Sequence, residues 1–278
     1  MKTFWIRTAS ATVYALLFLG SIYSGRLIGN ETAGIAILFA FALFVAMGCT
    51  FEYFRIAEMQ GNRPNKVLGY AFSALMVVGM ALICMKLSVV GLVPWIVILL
   101  LFSLPITLMV QLWRSSERPF ADALHTLLPT FYCAFPLTLM PLLHYDANTL
   151  VMCIIMVWVN DSFAYMGGSL VGRHKMWPKH SPGKTWEGTA IGIIACLLTG
   201  IFIGPLFDTK LPIAGWIVLS LICSVVGTLG DLVESMLKRS VGLKDSGSIM
   251  PGHGGFLDRF DSLLMILPFA VLVSFFIN

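Results

Sequence analysis

Nine runs of apolar residues, near positions 8–25, 32–51, 67–86, 88–112, 121–143, 148–168, 187–206, 211–236 and 257–277, set the limits of what this chain can fold into. A helix needs about 20 residues to cross the roughly 30 Å of bilayer hydrocarbon, and each run approaches or exceeds that length. Inside hydrocarbon the backbone must satisfy its own N–H and C=O groups, so such runs fold as helices. Composition agrees: 58% of the 278 residues are hydrophobic and only 12% charged, against roughly 25% charged in a soluble domain. Water-soluble, disordered, collagen-like and solenoid readings are thereby excluded. The sequence predicts an all-α fold, a polytopic integral membrane helical bundle of about nine transmembrane helices.

Charge distribution orients the bundle. With the N-terminus cytoplasmic, nine crossings put Lys2, Arg7, Arg55, Arg63, Lys66, Arg114, Arg118, Arg173, Lys175, Lys179, Lys184, Lys238, Arg239, Lys244 and Arg259 on the cytoplasmic side and leave Arg26, Lys86 and Lys210 opposite. That positive-inside asymmetry supports a cytoplasmic N-terminus and a C-terminus on the other side. The net charge of +4 is spread through loops, so no nucleic-acid partner is expected. Lys2 and Arg7 precede an apolar run without a clear cleavage site, which reads as an uncleaved first helix. The cysteines sit singly in apolar stretches, without metal-ligand spacing, and read as small core hydrophobes.

Residues 1–150 read as N-terminal membrane helices serving packing, lipid access and homodimer contacts, and 151–278 as the catalytic membrane region. In the second part, Asp161 follows an apolar run, where a charge is costly and marks either a site or an interfacial cap. Asp231, Glu234, Ser235 and Lys238 fall at i, i+3, i+4 and i+7, on one helical face, as a salt-bridged surface or as a ligand set. Asp258 and Asp261 repeat the i, i+3 spacing, with no cation at i+4 to relieve their repulsion. A hard cation would relieve it: Mg2+ takes oxygen ligands from one or two carboxylates plus substrate phosphates. Asp231, Asp258 and Asp261 are therefore the expected metal ligands, with Asp161 a weaker candidate, and a second cation has room. Zinc is a poor candidate, since no cysteine stands nearby.

Two loops carry the phosphate-binding expectation. SPGKTWEG, with Ser181, Lys184 and Thr185, ends like a P-loop but lacks the upstream glycine of that motif, as position 178 is proline. Its hydroxyls, ammonium and helix-start N–H groups nonetheless suit an anion. The second loop, RSVGLKDSGSIMPGHGGFL, places His253 among glycines beside Lys238, Arg239 and Lys244. Glycine-rich backbone, basic flanks and acidic helix ends together fit phosphoryl or nucleotidyl transfer, which works mostly by positioning and charge neutralisation.

The segment SMLKRSVGLKDSGSIMPGHGGFLDRFD, with NDSFAYMGG and SPGKTWEG upstream, resembles the signature of the CDP-diacylglycerol synthases, or phosphatidate cytidylyltransferases. The resemblance covers roughly residues 150–278. It departs at Gly183, where the family usually has a second lysine, and at Met250, where a branched aliphatic or aromatic residue is usual. It implies transfer of the cytidylyl group of CTP to phosphatidic acid with Mg2+, at the cytoplasmic face of a bacterial inner membrane. In catalysis it implies Asp231, Lys238, Arg239, Lys244, Asp245 and His253. For substrate and phosphate binding it implies Ser181, Lys184, Thr185, Ser235, Gly254, Gly255 and Arg259, with metal on Asp231, Asp258 and Asp261. A CTP-dependent polyprenol or dolichol kinase and an ion-coupled transporter are the rival readings.

Overall fold

The computed structural model describes residues 2–86, 92–143, 147–207, 211–249 and 254–276. Each apolar run becomes a helical rod. The elements are α1 (Lys2–Ile28), α2 (Glu31–Met59), α3 (Lys66–Lys86), α4 (Leu92–Gln111), α5 (Pro119–Pro129), α6 (Phe135–Thr138), α7 (Ala147–Val171), β1 (Lys175–Trp177), β2 (Ser181–Thr185), α8 (Trp186–Phe202), α9 (Ile213–Leu221), α10 (Gly227–Arg239) and α11 (Leu257–Phe276). Among the described residues, six stretches are long and apolar enough to cross a membrane: Glu31–Met59, Lys66–Met85, Pro119–Leu142, Asn148–Val171, Ile213–Arg239 and Leu257–Phe276. Trp186–Phe202 is a shorter apolar helix, and Thr12–Ile28 and Val97–Gln111 are apolar portions of α1, 27 residues long, and α4, 20 residues long. The chain is thus a polytopic helical membrane protein, as its apolar runs predict. One departure from the all-α expectation is the antiparallel β1–β2 hairpin, paired Lys175 to Thr185 and Trp177 to Ser181.

The chain divides into two units: Met1–Pro141 with Asp245–Arg259, and Leu142–Lys244 with Phe260–Asn278. In the first, α2 packs on α1 and α3. The turn after α2 is pinned to α5: the Arg63 N–H donates to Asp122 Oδ1 at 2.6 Å and the Asn65 N–H to Thr126 Oγ1 at 2.7 Å. Tyr53 Oη lies 2.7 Å from His125 Nδ1. Between α5 and α6 the rod passes through one π turn, Thr130–Ala134, where the Phe135 N–H reaches the Thr130 carbonyl. Pro129 and Pro136 flank this turn and contribute no N–H, so the regular i to i−4 ladder cannot run through it.

In the second unit α7 and α8 pack along the most extensive helix–helix contact. A methyl at Gly188 would stand 2.5 Å from the Ala164 carbonyl and 2.9 Å from Gly168 Cα, so the backbones touch there as small-residue seams permit. The rod from α9 to α10 also passes through a π turn, Ile222–Val226. One inserted residue rotates the helix beyond it by about 100° at 3.6 residues per turn, which changes the face that α10 presents. Of the cysteines, five are buried and Cys84 is half-buried, all as free thiols, as their apolar settings predict.

Candidate active site

The second unit builds a polar site from α7, β2, α8, α10 and α11. Gly230 admits α11 closely: a methyl there would stand 2.8 Å from the Asp261 carbonyl. That approach gathers Asp231, Glu234 and Asp261, whose carboxylate oxygens lie within 4.8 Å of one another. The face predicted for α10 is realised. Ser235 Oγ donates to Asp231 Oδ1 at 3.2 Å, and Lys238 Nζ pairs with Glu234 Oε2 at 2.6 Å, where the Glu234 side chain is fully buried. Lys184, carried by β2, pairs with Asp231 Oδ2 at 2.6 Å and donates to the Thr228 carbonyl at 3.3 Å. Asn160 donates to Thr228 Oγ1 at 3.2 Å and lies 3.5 Å from Asp161 Oδ1, holding the middle of α7 to α10.

Of these groups, Asn160, Asp161, Lys184, Thr228 and Asp231 border a cavity of about 590 Å³. Its walls come from Asn160, Asp161, Ala164, Tyr165, Gly168 and Ser169 on α7, Ser181 to Thr185 in β2 apart from Pro182, Lys175, Thr189, Thr228 and Asp231. The volume falls within the roughly 300–1,000 Å³ of ordinary ligand sites. Three acids, Asp231, Glu234 and Asp261, face two lysines, Lys184 and Lys238, leaving one formal negative charge. Asp161 on the cavity wall adds a second. An all-oxygen donor set with residual negative charge fits a hard divalent cation such as Mg2+ and offers nothing to a soft one.

The remaining sequence candidates divide. Ser181 lines the cavity half-buried. Thr185 also borders it but is 4% exposed, and its hydroxyl accepts the Gly188 N–H at 3.2 Å as the N-cap of α8. Arg239 is committed to local structure, donating to the His180 carbonyl at 3.3 Å and the Leu243 carbonyl at 2.8 Å. Lys244, Asp245 and Arg259 are exposed, and His253 lies outside the described residues.

Asp258, expected as a metal ligand, is described within the first unit. Its Oδ2 accepts the Ser246 N–H at 2.8 Å and the Gly255 N–H at 2.7 Å, and lies 2.9 Å from Ser246 Oγ. That oxygen shapes the loop ahead of α11. Gly254, at φ +84°, takes the left-handed conformation this loop requires, and Gly255 is buried. Two acids absent from the expected ligand set emerge: Glu234 in the acid cluster and Glu52, buried on α2. The signal for Glu52 is a carboxylate closing an apolar run, in GCTFEYF.

Helical rods that bring carboxylates and lysines to one cavity define a polytopic membrane protein with a charged candidate site. The chain belongs to the cytidylyltransferase family, which it matches over residues 5–277. The phosphatidate cytidylyltransferase of Staphylococcus saprophyticus is 44% identical over 126 residues, 45% of this chain and 47% of that protein. That of Bacillus subtilis is 44% identical over 125 residues, covering 45% and 46%. That of Staphylococcus aureus is 39% identical over 186 residues, covering 63% and 69%. With the first two, the match spans about half the relative's length.

Proposed function

We propose that this protein transfers the cytidylyl group of CTP to phosphatidic acid, giving CDP-diacylglycerol and pyrophosphate. The observation that carries the reading is the Lys184–Asp231 pair on the wall of a nucleotide-sized cavity, with Glu234 and Asp261 closing an acid cluster beside it. A phosphate oxygen of phosphatidic acid attacks the α-phosphorus of CTP, forming a new P–O bond as the bond to the β-phosphate breaks and pyrophosphate leaves. Phosphatidic acid arrives already ionised, so the protein needs no general base and contributes placement and charge.

Lys184 and Lys175 offer ammonium groups to the triphosphate, while Ser181 and the open backbone at Gly183 line its path. Ser235 and Lys184 fix the two oxygens of Asp231, and Lys238 balances Glu234 so that Asp231 and Asp261 can turn to a cation. Mg2+ held by Asp231 and Asp261, with Glu234 adjoining, would supply charge neutralisation to the triphosphate and the departing pyrophosphate. Relatives from bacteria and the fifteen basic residues assigned to one side support an inner-membrane protein whose site opens to the cytoplasm. There the cytosolic nucleotide meets a lipid headgroup.

Product identity tests this reading. Purified protein given labelled CTP, phosphatidic acid and Mg2+ should release one pyrophosphate per liponucleotide formed. Release of CDP together with a newly phosphorylated lipid alcohol would instead establish a kinase.

A further inference from the structure

Phe44, Gly48 and Glu52 follow one another at i, i+4 and i+8 on α2, so they share one helical face. All three meet residues some two hundred positions later in the chain, among Ser246, Gly247, Gly255, Phe256 and Leu257. Phe44 and Phe256 pack edge to face with ring centroids 5.2 Å apart, and a methyl at Gly48 would collide with the Phe256 ring. Glu52 is 1% exposed. Its Oε1 accepts the Phe256 N–H at 2.9 Å, its Oε2 accepts the Leu257 N–H at 2.9 Å, and Ser246 Oγ donates to Oε2 at 2.7 Å. Gly247 and Gly255 press against the same carboxylate, with no room for a methyl at either.

A buried carboxylate is expensive unless it is fully hydrogen-bonded, and a helix start presents N–H groups without partners. Glu52 satisfies both conditions at once for α11. Ser246 Oγ also lies 2.9 Å from Asp258 Oδ2, so this hydroxyl joins the Glu52 and Asp258 carboxylates across the loop. Gly247 and Gly255 therefore make room for an internal carboxylate, the side chain of Glu52.

Resting on the cytidylyl-transfer reading above, we propose that Glu52 is a positioning residue for the reaction. Its carboxylate fixes the first turn of α11, the helix that runs on through Asp258 to Asp261. It touches neither substrate and acts through the backbone it holds.

The test uses full-length protein in detergent, comparing wild type with Glu52→Gln and Ser246→Ala. Glu52→Gln keeps the shape but replaces one oxygen by an NH2 group that cannot accept from an N–H. Amide hydrogen exchange at Phe256 and Leu257 should quicken at least about tenfold, equal to about 1.4 kcal/mol, while exchange along α7 and α8 stays unchanged. In the same samples kcat should fall at least about tenfold with KM for CTP within about twofold, and half-maximal rate should need more Mg2+. Ser246→Ala, which keeps the carboxylate and removes one donor, should move all three readouts the same way by less. Wild-type exchange at Phe256 and Leu257 in Glu52→Gln, or unchanged kcat and Mg2+ dependence, overturns the proposal. A uniform loss of protection over both units also overturns it, because Glu52 would then be supporting the whole fold. If the wild type itself forms no liponucleotide, the transfer reading fails, and the positioning role falls with it; that failure shows in the wild type and not in the variant.

Discussion

At the scale of single residues, Asp231 and Asp258 separate two jobs that identical chemistry conceals. Asp231 stands on a cavity wall with Lys184 and Ser235 on its two oxygens, poised toward a ligand. Asp231→Asn should leave the melting temperature nearly unchanged and abolish liponucleotide formation. Asp258→Ala removes the acceptor of two backbone N–H groups, and hydrogen bonds to a charged group contribute about 1.5–3 kcal/mol each; it should lower the melting temperature measurably by differential scanning fluorimetry in detergent. Lys238 is a third case. Removing it as Lys238→Met strands the fully buried Glu234, and breaking a buried ion pair costs about 3–5 kcal/mol. A denaturation midpoint equal to the wild type's would show that Glu234 finds its charge balance elsewhere. The face shared by Asp231, Glu234, Ser235 and Lys238 was legible from spacing alone, since periodicity reports which side chains share a helix face. The partners of Glu52 were not, since spacing carries no information about contacts two hundred residues apart, and those of Asp258 lie in irregular backbone where no period applies.

At the scale of elements, the hairpin between α7 and α8 does two things with five residues. Lys184 in β2 reaches α10, while Thr185 at the end of the strand caps α8. Pro182 and Gly183 hid this strand, because Ser-Pro-Gly reads as turn chemistry and the run is too short for an alternating pattern to register. Thr185→Ala should cost about 1 kcal/mol of stability through loss of the cap. Thr185→Ser, which keeps the cap oxygen, should restore both stability and turnover; a stable but inactive Thr185→Ser would point to a contact made by the threonine methyl. The α7–α8 seam is stricter. Gly188→Val drives a branched side chain into the Ala164 carbonyl and Gly168, and overpacking of this kind costs about 1–3 kcal/mol. The variant should lose cavity geometry and thermal stability together. The two π turns were not legible, although Pro129 and Pro136 bracket one of them, because tertiary packing decides whether a proline-flanked rod breaks, kinks or inserts a residue.

At the scale of the whole chain, apolar run length made the helical rods legible but not where each one stops. The run near 187–206 yields a shorter helix than its length suggests, since a run's length in sequence does not reveal where its helix starts and stops. Trp186–Phe202, at 17 residues, spans about 25 Å at 1.5 Å per residue, short of the hydrocarbon thickness. Orientation is open to a direct check. In a background without the native cysteines, Lys179→Cys in the hairpin should react with a membrane-impermeant maleimide only from the cytoplasmic side, and Asn30→Cys only from the opposite side. The reverse pattern would remove the cytoplasmic cavity.

The most direct measurement is the initial rate of liponucleotide and pyrophosphate formation by purified wild type and Asp261→Asn, with Mg2+ titrated from zero. Equimolar products that require Mg2+, and their loss in a variant that keeps the wild-type melting temperature, are the predicted result. Turnover by Asp261→Asn at the wild-type rate and Mg2+ dependence would contradict the assignment of the acid cluster to the reaction.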